Sequence, residues 1–361
     1  MRRKLSLLLV FAIIALYTQA QRPVSVIFDT DIGPDYDDVG AIALLHAFAD
    51  SGKANILATM ASNKYEGIAA VLNVFNTYFH RPSLPIGIPK GRAVNIRDRQ
   101  HWTDSILAKY PHAINHNSEV PDAITLYRSI LATQPDHSVV IITVGFLTNL
   151  AGLLQTGADS LSPLNGRQLV SRKVRLLVSM AGTFPQGREF NIFNDAPAAI
   201  AVSREWPSPI IFSGFEIGRK IKCGLPIIND AAILNSPVKD VFRISIPQAG
   251  EDASGRMSWD ETAVLVGIAG YAPWYTLRYG HIQVDTLGAN TWTDSAGPSQ
   301  TDAPSHANAT PQVHAASHAH ATPRLYTAPQ AHLEEALPPA TVQALIDTLI
   351  MHQPVQPAAV R

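Results

Sequence analysis

Five aspartates lie within ten residues, directly after a short apolar run near the start of the chain. They are Asp29, Asp31, Asp35, Asp37 and Asp38. The apolar residues 24–28 predict a buried strand, residues 39–48 predict a helix, and Gly33 and Pro34 predict a tight turn between them. Carboxylates this crowded repel one another unless a cation binds or their pKa values rise. This acidic loop (residues 29–38) therefore predicts a metal-centred site at the carboxyl end of a sheet strand, where open α/β folds bind ligands.

Beyond this segment, apolar runs alternate with amphipathic stretches. Strands are predicted at residues 56–60, 139–144, 174–180 and 210–212, and helices at residues 68–79, 122–133, from about 147, and 342–351. This alternation predicts an α/β fold, Rossmann-like, with a mostly parallel, doubly wound sheet and helices on both faces. With 361 residues, 46% of them hydrophobic, the chain can bury a large core. We expect one domain over residues 21–353.

The net charge and the cysteine content exclude several classes of partner and of site. The formal net charge of −1 provides no basic field for nucleic acid and no polybasic signal for a membrane. Cys223 is the only cysteine, so the chain can form neither an internal disulfide nor a cysteine-based zinc site.

The first twenty residues have the pattern of a signal peptide. Arg2, Arg3 and Lys4 form a positive segment, residues 5–16 are apolar, and residues 18–20 offer small side chains for cleavage. The apolar stretch is short for a membrane span, although a retained anchor is the alternative. We therefore expect a periplasmic or secreted protein that begins near Gln21 and has no stable membrane span.

Residues 293–322 interrupt the alternation. They are rich in Ala, Ser, Thr, Pro and His, a composition that buries too little apolar surface to offset chain entropy. We expect a loose insertion there and a short tail at residues 354–361. Four histidines in this stretch could bind a transition metal, but their spacing defines no common face, which favours a solvated loop.

The acidic loop has other interpretations besides a catalytic metal site. Asp35, Asp37 and Asp38 could cap the following helix, because carboxylates there accept free N–H groups. An EF-hand would need a glutamate where Gly40 stands, and that interpretation fails. A haloacid-dehalogenase-type phosphatase would need Thr or Val in place of Gly33. A purely structural calcium loop remains open. Hard oxygen ligands without cysteine or paired histidines favour Ca²⁺ or Mg²⁺ over zinc.

Five motifs, in order, resemble those of the nucleoside hydrolases of the inosine–uridine-preferring family. They are DTDIGPDYDD from Asp29, Ala61-Ser62-Asn63, TVGFLTN from Thr143 to Asn149, Glu189-Phe190-Asn191, and Trp259-Asp260 at the start of a late helix. The resemblance covers roughly residues 24–290. Taken alone, Thr148-Asn149 could be a helix cap, and Glu189 with Asn191 a polar turn.

The resemblance implies a calcium-dependent hydrolase that releases a base and ribose from a ribonucleoside. It implies that Asp31, Asp38, the Val144 carbonyl and Asp260 ligate Ca²⁺, and that Asp31 is also the catalytic general base. The implied sugar-binding residues are Asp37 for the 2′-hydroxyl, Asn191 and Asp260 for the 3′-hydroxyl, Glu189 for the 5′-hydroxyl, and Asn63. Asp29 and Asp35 would support the acidic loop without ligating the metal themselves. Family members are commonly dimers or tetramers, so a homo-oligomer is also expected.

One departure concerns the leaving group. Many family members have a histidine before the late aspartate, whereas this chain has Trp259, whose indole cannot donate a catalytic proton. Trp259 would either stack on the substrate base or form part of the core or wall. Candidates for the base pocket are Tyr271, Tyr275, Arg278, Tyr279 and His281. Thr183 is the nearest replacement for an asparagine that commonly reaches the 5′-hydroxyl.

Trp259 also keeps two other functions open. One is a calcium-dependent sugar-binding or structural protein that keeps the fold without turnover. The other is a glycosidase that acts on a non-nucleoside ribosyl conjugate.

Overall fold

The computed structural model describes residues 22–297 and 328–354. Their strands are β1 Val24–Thr30, β2 Ala54–Ala61, β3 Ile86–Gly87, β4 Val139–Thr143, β5 Val174–Met180, β6 Gln186–Gly187, β7 Ile210–Ser213, β8 Lys222–Cys223, β9 Arg256–Met257, β10 Tyr275–Val284, β11 Asn290–Asp294 and β12 Gln330–Glu335. Their helices are α1 Asp37–Asp50, α2 Ile68–Tyr78, α3 Trp102–Lys109, α4 Ala123–Thr133, α5 Thr148–Leu154, α6 Gly166–Lys173, α7 Phe190–Asn194, α8 Ala196–Glu205, α9 Phe215–Gly218, α10 Leu225–Asn229, α11 Pro237–Ser245, α12 Trp259–Ala269 and α13 Pro339–Ile350.

The main sheet has the strand order β3-β2-β1-β4-β5-β7-β12-β10-β11-β6. The strands from β3 to β12 in this order run parallel, and β10, β11 and β6 extend the sheet antiparallel. The prediction of a mostly parallel α/β sheet is therefore confirmed. β8 and β9 form a separate two-stranded sheet.

Helices cover both faces of the sheet because its central strands are apolar on both sides. Val140 and Ile142 of β4 belong to one hydrophobic cluster, together with Ile42 of α1. The alternate residues Val139 and Ile141 belong to a second cluster. Period-two alternation sends successive side chains to opposite faces, so a continuous apolar run requires cover on both.

The sheet reverses its winding at β1. β2 lies on one side of β1 and β4 on the other, and both pair with it in parallel. Ligands of open α/β sheets bind at such a switch point, outside the carboxyl ends of the strands. The acidic loop leaves β1 at this place.

The predicted elements agree with the observed ones to within a few residues, but the C-terminal strands were missed. β11 continues through Asp294, so the start of the predicted insertion at residue 293 is wrong by at least two residues. Most of that insertion, the predicted signal peptide and residues 355–361 lie outside the described residues. Within the described ranges, every helix is too short or too polar to cross a bilayer.

Candidate active site

The carboxyl ends of β1 and β4 bring the acidic loop against residues 144–145. The Val144 N–H donates to the Asp29 carbonyl over 2.8 Å. Gly145 lies so close to the Asp31 main chain that a side chain at position 145 would collide with it. Gly33 has φ 133°, a conformation that glycine adopts without strain and that turns the loop back over the strand end. Val144 and Gly145 are thereby packed against the acidic loop.

Three buried carboxylates meet where α1 and α12 begin. Asp37 and Asp38 lie in the first turn of α1, and Asp260 lies in the first turn of α12. One oxygen from each lies within 4.8 Å of the others. Asp38 accepts a hydrogen bond from the Thr30 hydroxyl through Oδ1, while its buried Oδ2 has no partner among the described residues. An orphaned carboxylate oxygen in an all-oxygen cluster suits a hard divalent cation.

Burial and mutual repulsion raise the pKa values of this cluster. Burial raises the pKa of Asp38 to about 7. It also raises the pKa of Asp260 well above its usual range, and the charges of Asp37, Asp38 and Asp31 raise it further. Without a cation, such carboxylates favour the protonated form, and a bound cation would restore their charge.

Asp31 lies beside the three carboxylates but is not one of them. Its side chain is buried, and its pKa lies well above the usual range because of burial and then the charge of Asp38. The structure thus brings the predicted ligands Asp38 and Asp260 together with Asp31 adjacent. It also places Asp37, predicted as a sugar ligand, among the candidate metal ligands.

None of the five aspartates occupies the N-cap of α1, although Asp37 and Asp38 lie in its first turn. α1 begins at Asp37 with Tyr36 at its N-cap, and that cap makes no side-chain hydrogen bond. Asp35 accepts the Tyr36 N–H over 2.8 Å and forms an ion pair with Arg256.

Arg256 is the countercharge of the acidic loop. This buried guanidinium donates to Asp37 over 3.0 Å, and it also pairs with Asp35 and Asp252. It lies over the rings of Tyr36 and Trp259, at 4.8 and 5.0 Å from their centroids. Arg256 therefore cross-links the acidic loop to the segment that leads into α12, a role that no sequence motif predicted. A lone arginine three residues before Trp259-Asp260 was the available signal.

Asp29, predicted as a supporting residue, is held by neutral side chains. Its buried carboxylate accepts hydrogen bonds from the Tyr127 hydroxyl at 2.9 Å and from the Asn149 amide at 3.0 Å. Burial raises the pKa of Asp29 to about 7. Asn149 does not cap a helix, because its amide oxygen accepts no hydrogen bond from the described residues; its amide nitrogen also donates to the Ala61 carbonyl. This amide ties the ends of β1 and β2 together.

Glu189 and Asn191 form a hydrogen-bonded unit at the start of α7. Glu189 caps this helix by accepting from the N–H groups of Asn191 and Ile192, and it also accepts from the Gly182 N–H. Burial raises the pKa of Glu189 to about 7. The Asn191 amide donates to the Val144 carbonyl over 2.9 Å. The pair therefore contacts the predicted calcium ligand Val144, and Glu189 also makes local hydrogen bonds of the kind expected for the polar turn that the sequence left open.

Asn63 connects loops through main-chain bonds. Its amide nitrogen donates to the carbonyls of Ile96 and Asp31, and its amide oxygen accepts from the N–H groups of Tyr65 and Ile96. This arrangement fixes the acidic loop against residue 96. Direct contact between Asn63 and sugar stays a prediction.

Trp259 forms part of the wall of the site. Its indole N–H donates to the Phe215 carbonyl over 2.8 Å, and its ring stacks on Phe215 at 4.9 Å. With Arg256 also over the ring, the indole already has two neighbours, which favours the wall interpretation.

Two of the predicted base-pocket residues of β10, Tyr275 and Arg278, have other contacts. Arg278 forms exposed ion pairs with Asp294 and Glu334, and Tyr275 packs in the core. The open space near Glu189 is lined instead by residues in and next to α7 and α9.

The comparisons with known proteins agree with the motifs. A sequence profile described as "Inosine-uridine preferring nucleoside hydrolase" matches residues 26–322. No curated protein matched the chain.

Solved structures show the same fold at low sequence identity. A plant nucleoside hydrolase, PpNRh1, is 16% identical, with 91% of this chain and 99% of that chain covered and a TM-score of 0.63. An inosine–uridine preferring nucleoside hydrolase from Bacillus anthracis is 15% identical, with coverages of 91% and 99% and a TM-score of 0.62. The type III effector XopQ, solved with adenosine diphosphate ribose, is 15% identical, with coverages of 92% and 94% and a TM-score of 0.62.

The profile match spans most of the chain, and the fold agrees with it. The chain belongs to the inosine–uridine preferring nucleoside hydrolase family and is an N-glycosyl hydrolase.

Proposed function

We propose that this protein is an exported, calcium-dependent hydrolase that cleaves the N-glycosidic bond of ribonucleosides to free base and ribose. The observation that carries the proposal is the buried cluster of Asp37, Asp38 and Asp260 with the orphaned oxygen of Asp38. Two helix starts and a strand end converge there, at the switch point of the sheet.

The residues present fit a calcium ion. Asp38, Asp260, Asp31 and the Val144 carbonyl would hold it, with Asp37 near enough to join them. All are oxygen donors, the ligand type that calcium takes in proteins. When bound, calcium supplies positive charge that keeps the carboxylates ionised and orients water and sugar hydroxyls.

The chemistry needs a base near the attacking water. Asp31 takes a proton from water as the water oxygen forms a bond to C1′. The C1′–N bond breaks at the same time, and its electron pair leaves with the nucleobase. Asp37, Asn191 and Glu189 hold the ribose hydroxyls and fix the ring relative to that water. Carboxylates around the sugar also stabilise the positive charge that develops on it.

The leaving base takes its proton from solvent in this proposal. The only indole N–H of Trp259 is already donated to the Phe215 carbonyl. Trp259 therefore shapes the wall beside the base and does not act as an acid.

A substrate panel tests the proposal. Inosine, uridine and other ribonucleosides are incubated with the protein, and reducing-sugar release is measured with calcium and with EDTA. We expect release that EDTA abolishes and that calcium restores. Release that is indifferent to EDTA would contradict the calcium requirement.

Trp259 is the observation that favours a second candidate, a calcium-dependent sugar-binding or structural protein without turnover. Retained ribose binding with no release from any nucleoside would support it. Release only from another ribosyl conjugate would instead support the third candidate, a non-nucleoside glycosidase.

Export and assembly are further parts of the proposal. The pattern of residues 1–20 supports cleavage near Gln21, and N-terminal sequencing of the exported protein would check it. Family membership supports a homo-oligomer, and sedimentation would check it.

A further inference from the structure

A cleft of about 670 Å³ opens beside Glu189, between the starts of α7 and α9. Its volume is within the range of small-molecule sites. Phe190, Phe193 and Phe215 form apolar parts of its wall, and Arg188, Arg219 and Lys220 bring positive charge to it. We call it the α7–α9 cleft.

The α7–α9 cleft adjoins the sugar site through Glu189. The carboxylate of Glu189 accepts the Asn191 N–H, and the Asn191 amide donates to the Val144 carbonyl beside the acidic loop. On the opposite side, Phe215 stacks on Trp259. Under the proposed function Glu189 marks the 5′ end of the ribose, so the cleft continues outward from the 5′ carbon.

The carboxylates of the cleft wall lie below its exposed charges. Glu189 is buried and accepts three main-chain N–H groups. Glu216 accepts the Phe184 N–H through one oxygen, and its other oxygen is buried without a partner among the described residues. The positive groups, by contrast, are exposed. The exposed charges of the cleft lining are therefore positive.

Two of the three positive side chains are available to a ligand. Neither Arg188 nor Arg219 forms an ion pair with any residue in the ranges 22–297 and 328–354. Arg188 lies 4.1 Å over the Phe193 ring and donates only its Nε to a carbonyl, and Arg219 lies 6.0 Å from the Phe215 ring. Stacking on an aromatic ring orders a guanidinium and leaves its terminal N–H groups free to donate. Lys220 pairs with Glu335.

We propose that the α7–α9 cleft binds an anionic substituent on the ribose 5′ position, so that 5′-phosphorylated ribonucleosides are substrates. A 5′-hydroxyl alone would leave most of the cleft unfilled. Guanidinium groups match the geometry of a phosphate and form charge-assisted bonds to it. The inference rests on the proposed function, because that function assigns the 5′ end of the sugar to Glu189.

Binding of two sugars tests the inference without turnover. Ribose and ribose 5-phosphate are titrated into the full, calcium-loaded protein by calorimetry. We expect ribose 5-phosphate to bind at least about tenfold more tightly, the effect of one or two charge-assisted hydrogen bonds. Equal affinities for the two sugars would overturn the inference.

A double variant and a matched control locate the effect. Arg188→Gln with Arg219→Gln should reduce the preference for ribose 5-phosphate to about twofold or less, since both charged donors are lost. Arg172→Gln removes an exposed arginine that pairs with Asp136 outside the cleft, and it should keep the wild-type preference. A preference that survives in the double variant would overturn the inference. Circular dichroism checks that each variant is folded.

Turnover separates this inference from the proposed function. A higher kcat/KM for a nucleoside 5′-monophosphate than for the matching nucleoside supports both. Turnover of nucleosides without any preference for ribose 5-phosphate overturns the cleft inference alone. No base release from either substrate overturns the proposed function, while the two titrations still decide what the cleft binds.

Discussion

The five aspartates of the acidic loop lie in different environments, and these environments separate their roles. Asp29 is satisfied by neutral donors, Asp35 and Asp37 by Arg256, and Asp38 by Thr30 on one oxygen only. Burial, and then the charges of its neighbours, raise the pKa of Asp31. Five identical side chains therefore have different roles. Asp29 supports the loop, Asp35 and Asp37 pair with Arg256, Asp38 is a candidate metal ligand, and Asp31 is the candidate general base.

Asp31→Asn tests the base. The amide keeps the shape of the side chain but cannot accept a proton, so kcat should fall by about 10²–10⁴-fold. Nucleoside hydrolysis is measured at saturating calcium, and far-ultraviolet circular dichroism should match that of the wild type. A variant with the wild-type rate would refute the role of Asp31.

Glu189→Gln tests the buried carboxyl of α7 through the dependence of stability on pH. The pKa of Glu189 is about 7 in the folded protein and near 4.5 when unfolded. Its contribution to stability is thus present below pH 4.5 and is lost as pH rises through 7. Relative to the wild type, the variant should gain about 3 kcal/mol between pH 4.5 and 8. Urea unfolding at both pH values measures this difference, and parallel pH profiles would contradict it.

At the scale of elements, the site depends on two helix starts held face to face. α1 carries Asp37 and Asp38, and α12 carries Asp260. Arg256, in the short strand β9 just before α12, bonds to the acidic loop across the interface. The countercharge offsets part of the repulsion among the carboxylates before any cation binds.

Arg256→Met tests this cross-link. The variant leaves the buried Asp37 and Asp252 without their partner, which should destabilise the EDTA-treated protein by about 3–5 kcal/mol. Arg172→Met, at an exposed ion pair, should change stability by about 0.5 kcal/mol or less. Urea unfolding compares the two variants. If both lose equally little stability, the cross-link does not hold the loop.

Local patterns predicted these elements well, and long-range pairings poorly. The strand at residues 174–180 and the helix from residue 68 follow from continuous apolar runs and helical spacing, which are local properties. β12 lies between β7 and β10, far from both in sequence, and no local pattern specifies that pairing. For the same reason, no local pattern predicted the role of Arg256, because its partner Asp37 lies 219 residues away in the sequence.

At the scale of the whole molecule, the sheet order places the parts of the site together. The ends of β1 and β4 are neighbours at the switch point, and α12 returns to this edge from late in the chain. The motifs predicted which residues converge, because they occur in the family's order. They did not predict that Asp37 lies among the candidate ligands, because side-chain direction depends on packing.

Calcium titration of the EDTA-treated protein tests the central claim most directly. Calorimetry should give one site per chain in the wild type. Asp38→Asn and Asp260→Asn should each weaken calcium binding by at least about tenfold, because each removes a charged ligand. Asp136→Asn, at an exposed ion pair, should bind as the wild type does. No calcium binding by the wild type, or unchanged affinity in both cluster variants, would contradict the account.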